Sequence, residues 1–174
     1  GVVGWLVTYP PVPVTTYTVT SRTVMGMSSP DAERFLKDVG GLQSGVHPPE
    51  IWDEISDLGL TPSDIPAEDV WAHLASTDNL GANDPDNRLE ALARRLSGDR
   101  TTINIARRLM SEHETDLTAV YLRGSDIVSH FFWRYWEPDS WTRGPLSPEL
   151  VEMFAPVIDR YYQSVDSMVG ELLE

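Results

Sequence analysis

Cysteine is missing from this chain, so disulfides, thiolate metal sites and a thiol nucleophile are excluded, and the redox compartment is unreadable. Basic charge is scarce as well: 13 Lys and Arg stand against 27 Asp and Glu, for a formal net charge of −14. Such a surface repels a nucleic-acid backbone and an anionic membrane, because phosphate binding needs clustered Lys and Arg. The densest basic group, Arg94, Arg95, Arg100, Arg107 and Arg108, is dispersed among acids and reads as a solvated helix face. No apolar run approaches the roughly 20 residues that a bilayer crossing needs. The N-terminus has neither the basic region nor the apolar core of a signal peptide. Glycine-rich phosphate loops, a Gly-x-Ser-x-Gly elbow, internal repeats and low-complexity tracts are absent too.

What is there is a globular composition: 41% of the 174 residues are hydrophobic, enough for a core in one domain, or one domain with a lobe. Val2 to Thr8 is a strand candidate, the prolines at 10, 11 and 13 forbid a central strand after it, and the β-branched Val14 to Ser21 reads as extended. Helical punctuation follows. Ser29-Pro30 opens a helix that Gly40-Gly41 closes, and Pro48-Pro49 opens one that Gly59 closes. Thr61-Pro-Ser-Asp64 is a capped turn before a helix near Ala67 to Ala75. A polar loop, Asn79 to Asn87, precedes a helix with Leu89, Leu92, Ala93 and Leu96 on one side; another runs from about Arg100 to Ser111.

Leu117 to Leu122 has the length of a buried strand. Gly124 breaks it, and Ser125 caps a helix beginning at Asp126. The last helix has the cleanest period: Val151, Phe154, Ile158, Tyr161, Val165, Met168 and Leu172 alternate in steps of three and four. Ser147-Pro148 starts it, and Pro156 is expected to kink it or split off its first turn. The seam is expected to pack on the domain's own sheet, with pairing to a second chain as the alternative.

The expected fold class is α/β: a partial, mostly parallel sheet flanked by helices, with a mostly helical cap insertion. Residues 1–21 form a sheet segment and 22–115 the cap. Residues 116–174 supply the strand and helices of the sheet core, with half of a metal site. Within that core, the strand 117–122 is expected to be central and parallel.

The chemistry concentrates on one helix. Asp126 and His130 stand at i and i+4, so both side chains project from one face, just past the end of a strand. An anionic oxygen and an imidazole one turn apart suit a divalent metal such as zinc. His47, His73 and His113 sit in unrelated contexts and read as packing or surface residues. Ser129, adjacent to His130, cannot form a nucleophile–base pair with it. Phe131, Phe132, Trp133, Tyr135 and Trp136 read as core.

Three blocks of sequence carry a resemblance. They are Gly4-Trp-Leu-Val-Thr-Tyr-Pro10 with Val14 and Thr20-Ser-Arg22; Asp116-Leu-Thr-Ala-Val-Tyr-Leu-Arg-Gly-Ser-Asp126 with Ser129-His130-Phe-Phe-Trp133 and Tyr135-Trp-Glu-Pro138; and Tyr161-Tyr162, Asp166 and Gly170-Glu-Leu-Leu173. In this order they resemble the type I phosphodiesterase/nucleotide pyrophosphatase family of the alkaline phosphatase superfamily. The resemblance frames the whole chain, and its specific part is the Asp-x-x-x-His block. It implies a hydrolase of phosphate esters with two zinc ions about 4 Å apart, in which Asp126 and His130 are two of three protein ligands to one zinc.

The resemblance also implies what these residues lack. Its threonine or serine nucleophile falls before Gly1; the second zinc's Asp-His pair and the first zinc's last histidine fall after Glu174. Thr8 and Thr16 are not substitutes, and no catalytic residue is assigned in this chain. Val14 to Ser21 departs from the family, with Thr-Thr-Tyr in place of an Asn-Gly-like turn. The expectation is a central segment of a zinc phosphodiesterase, inactive alone, with a phosphate ester as the parent's substrate and possible self-association of the isolated segment. The alternative is a non-catalytic acidic interaction or dimerisation module built on the 151–172 seam.

Overall fold

Proline begins four described helical segments, at Pro49, Pro62, Pro138 and Pro148, where its fixed φ suits the first turn and its missing N–H goes unneeded. The computed structural model describes residues 6–7, 46–47, 49–77 and 87–174. Its strands β1 (Leu6–Val7) and β2 (Val46–His47) pair antiparallel, Leu6 opposite His47. A 3-10 turn at Pro49–Ile51 leads into the single-turn helix α1 (Trp52–Ile55). At Pro62–Asp64 the expected cap forms: the Asp64 carboxylate accepts from the Thr61 amide and hydroxyl, each at 2.7 Å. Helix α2 (Ala67–Trp71) follows, and α3 (Arg88–Glu112) is next in chain order. Then come α4 (Gly124–Trp136), α5 (Pro148–Phe154) and α6 (Val157–Leu173).

Helix α3 is one helix of 25 residues, where the sequence suggested two. Ser97-Gly98-Asp99 looks like a break because these residues are poor helix formers. Their polar groups are satisfied locally or by tertiary contact instead. Ser97 Oγ donates to Arg94 O at 3.1 Å, and Thr101 Oγ1, fully buried, accepts from the Leu60 amide at 2.8 Å.

The core is helix on helix. Leu92, Leu96 and Ile103 of α3 meet Val128, Phe132 and Tyr135 of α4, Phe154 of α5, and Val157, Tyr161 and Met168 of α6. Phe154 packs against Phe132 at 5.5 Å and Tyr135 at 5.3 Å between ring centroids. Each such aromatic, fully buried, contributes about 2–3 kcal/mol from apolar area alone. A smaller cluster of Val46, Ile51, Ile55 and Ile105 covers the other end of α3. The regular seam of the last helix is therefore consumed by the chain's own core, against helices. Pro156 does split that pattern, standing between α5 and α6, and Ser147 Oγ caps α5 by accepting from the Leu150 amide at 3.4 Å.

The expected parallel sheet is contradicted. Among the described residues, the β1–β2 ladder is antiparallel and two residues long. Residues 117–122 form no strand, and Leu117 is 83% exposed and Tyr121 69% exposed. A strand needs a neighbour to take its backbone donors and acceptors, and among the described residues none lies alongside this run. Helices α4 and α6, expected to cover a sheet, pack on each other and on α3. The fold of the described residues is mainly helical, and α3 shares one core with the helices beyond residue 115. The extended segment 14–21, the helix from Ser29-Pro30 and most of the loop 79–87 lie outside the described residues.

Candidate metal half-site on helix α4

Helix α4 is placed by a buried carboxylate. Asp99 lies on the apolar stripe of α3, in step with Leu92, Leu96 and Ile103, and is 3% exposed. Its two oxygens accept from the Gly124 amide at 3.0 and 3.1 Å, and Oδ2 also accepts from the Tyr161 hydroxyl at 2.9 Å. Three helices thus meet on one side chain. The first amide of α4, which would otherwise have no intrahelical acceptor, is satisfied from α3. Ser125, expected to cap α4, turns its hydroxyl back to Leu122 O at 3.4 Å instead. Burial raises the Asp99 carboxyl above its ordinary pKa, against the opposing pull of its hydrogen bonds. Burial and the adjacent Asp99 likewise raise the Tyr161 phenol.

Two residues past this anchor, Asp126 begins the outer face of α4. Val128, Phe132 and Tyr135 face the core, and Asp126 and His130 stand on the opposite, exposed side. Their donors converge: His130 Nε2 is 3.4 Å from Asp126 Oδ1, with side chains 79% and 63% exposed. Two ligands bound about 2.05 Å from a tetrahedral zinc lie about 3.35 Å apart. The helix therefore presents an oxygen and an imidazole nitrogen at a spacing that one zinc ion fits. Asp126 and His130 are brought together as the sequence predicted. Among the described residues, no group of three or more His, Asp and Glu converges on a common point, so the pair has no third such partner there.

His73 and His113 are committed elsewhere. His73, 5% exposed, joins α2 to α6: its Nδ1 is 2.8 Å from Asp69 O and its Nε2 2.9 Å from Ser164 Oγ. The carbonyl fixes the tautomer, with Nδ1–H donating, and burial keeps the imidazole below its ordinary pKa. Arg160 completes that junction by donating to Ala72 O and Leu74 O. His113 Nε2 lies 2.7 Å from Glu54 Oε2. The expected basic face is partly engaged as well, since Arg100 and Arg107 both reach Glu171 on α6.

Of the aromatics read as core, Phe132 and Tyr135 are buried, whereas Phe131, Trp133 and Trp136 are 46%, 49% and 39% exposed. They are a correction to that reading: a helix packed through one stripe leaves its other faces to solvent, whatever their side chains. Trp133 follows His130 by three residues on the outer face and stacks against Trp136 at 5.0 Å and 50°. An apolar recess of about 510 Å³ lined by Trp141, Pro145, Leu146 and Val151 includes neither Asp126 nor His130.

The residues that sequence reading missed are Asp99 and Tyr161 as a pair. Their signal was present, because an aspartate on a helix's apolar stripe calls for a buried partner. Compared with protein-family models, curated proteins and solved structures, the chain matches none.

Proposed function

We propose that Asp126 and His130 are two protein ligands of a zinc ion in a hydrolase of phosphate esters, of the type I phosphodiesterase/nucleotide pyrophosphatase kind. The observation that carries this reading is the converging pair on the outer face of α4, 3.4 Å apart and free of the core. It coincides with the most specific block of the sequence resemblance. Asp126 supplies an anionic oxygen and His130 a neutral imidazole nitrogen, and helical spacing holds both without a loop to order. Zinc bound there supplies Lewis-acid polarisation of a phosphoryl oxygen. The protein's own contribution is placement: Asp99 fixes the first turn of α4 from the core, and the exposed pair follows rigidly from it.

These 174 residues hold no counterpart of the family's nucleophile or of its remaining zinc ligands. The isolated chain is therefore expected to be inactive. The test compares zinc-dependent hydrolysis of bis(p-nitrophenyl) phosphate by this chain and by any longer product that its source reading frame encodes. The chain alone should give the buffer rate. A longer product that supplies the nucleophile and the remaining ligands should turn over and lose about 100-fold or more with Asp126→Ala or His130→Ala, as expected when a side chain bound to the metal is lost. Unchanged turnover in both variants would remove Asp126 and His130 from the reaction.

A further inference from the structure

We infer that Arg95 of α3 and Arg123, which precedes α4, together form a binding site for a phosphate group, beside the Asp126–His130 pair and independent of it. The backbone brings the two arginines to one place. Arg95 stands one turn before Asp99 on α3. The Asp99 carboxylate accepts from the amide of Gly124, the residue after Arg123, at 3.0 and 3.1 Å. Arg123 has helical backbone angles, φ −76° and ψ −20°. It therefore shares one stripe of the helix with Asp126 and His130, at i, i+3 and i+7. The cluster is hidden in the sequence because its two members belong to separate elements.

Charge sets this pair apart. The chain has 27 acids for 13 bases, and other arginines of α3 find them: Arg94 meets Glu90, and Arg100 and Arg107 meet Glu171. Among the described residues, neither Arg95 nor Arg123 forms an ion pair with a carboxylate. Asp99, one turn away, is spent on Gly124 and Tyr161. Both arginines are partly buried, and the Arg95 Nε lies out of water with no hydrogen-bond partner among the described residues. Burial, and then the charges of Arg123 and Arg94, hold the Arg95 guanidinium below its ordinary pKa. A partly buried cation beside a like charge, with a donor left over, calls for an anion. Phosphate has the matching form: its oxygens accept paired N–H donors from a guanidinium fork, and its second charge answers the second arginine. Arg108, exposed on the same helix, needs no such partner because water solvates it.

The test titrates the full chain with inorganic phosphate, in EDTA and at low ionic strength, by phosphorus NMR and by melting. Saturable binding and a rise in Tm are expected, both weakening as salt is added. Arg95→Gln and Arg123→Gln should each weaken binding about tenfold or more, through loss of a charge-assisted hydrogen bond. Arg108→Gln should leave binding unchanged. Arg123 makes no contact in the main core, so its variant decides the matter should Arg95→Gln fail to fold. Phenyl phosphate in place of phosphate separates the sources: tighter binding assigns the site to a phosphate on a larger molecule, equal or weaker binding to the free ion. Because EDTA removes zinc, the outcome is distinct from that of the zinc-ligand reading. No saturable binding, binding matched by acetate, or equal weakening by Arg108→Gln would overturn the site.

Discussion

Gly124→Ala is expected to destabilise the chain by about 3 kcal/mol or more, the sum of overpacking and of disturbed buried hydrogen bonds. The added methyl would fall on the Tyr161 hydroxyl and the Asp99 carboxylate, and would stand 2.8 Å from Tyr161 Cζ. Neither neighbour can swing clear. Tyr161 is fully buried, and Asp99 is fixed on α3 by the very bonds it makes to Gly124. Relief requires α4 to move off α3 and α6, which opens the main core. For a chain of this size such a loss lowers Tm by roughly 10 °C. Gly170→Ala is the matched control: it lies in α6 with open space around the added methyl, and should be neutral or stabilising by up to about 1 kcal/mol. Equal melting of the two variants would mean that α4 does not approach α3 and α6 this closely.

Asp99→Ala is the second large effect, expected to cost about 2–5 kcal/mol. It strips the acceptor from two buried donors, the Gly124 amide and the Tyr161 hydroxyl, and each unsatisfied group costs about 1–3 kcal/mol. Tyr161→Phe removes one donor and should cost less, about 1.5–3 kcal/mol for a hydrogen bond to a charged group. The double variant should be milder than the sum, because the partners share one interaction. The pH dependence separates this account from simple packing. Burial raises the folded-state pKa of Asp99 above its unfolded value of 3.8. The folded state then binds more protons in that window, so the stability from this group is full below 3.8 and is lost as pH rises through the folded pKa. The gap in unfolding free energy between wild type and Asp99→Ala should therefore widen as pH falls through that window. A gap that narrows on acidification would mean that the carboxylate is held mainly as an anion.

The helices were legible in the sequence because their starts are marked by residues with one local purpose. Pro62, Pro148 and the Thr61–Asp64 cap act within a turn, and the alternation from Val151 to Leu172 reports a buried face whatever lies opposite it. What lies opposite was not legible. Leu117 to Leu122 has a strand's composition, but strand pairing depends on residues far away in sequence, and the exposed Leu117 and Tyr121 show that none of the described residues takes that role. The same limit produced the false break at Ser97-Gly98-Asp99, where contacts from Gly124 and Tyr161 satisfy an Asp99 carboxylate that looks disruptive in isolation. The candidate site was legible for the opposite reason. An i, i+4 pair is a local feature, and a helix at Asp126 to His130 is enough to bring its two donors together.

The most direct test follows the imidazole nitrogens of the four histidines by NMR while the chain is titrated with zinc. His73 is buried against Asp69 and Ser164, and His113 is held by Glu54. The account predicts that the His130 resonances alone shift, and that Asp126→Asn removes most of the response. Zinc that moves another histidine first, or that leaves His130 unchanged at saturating metal, would contradict the assignment of Asp126 and His130 as the metal-binding pair.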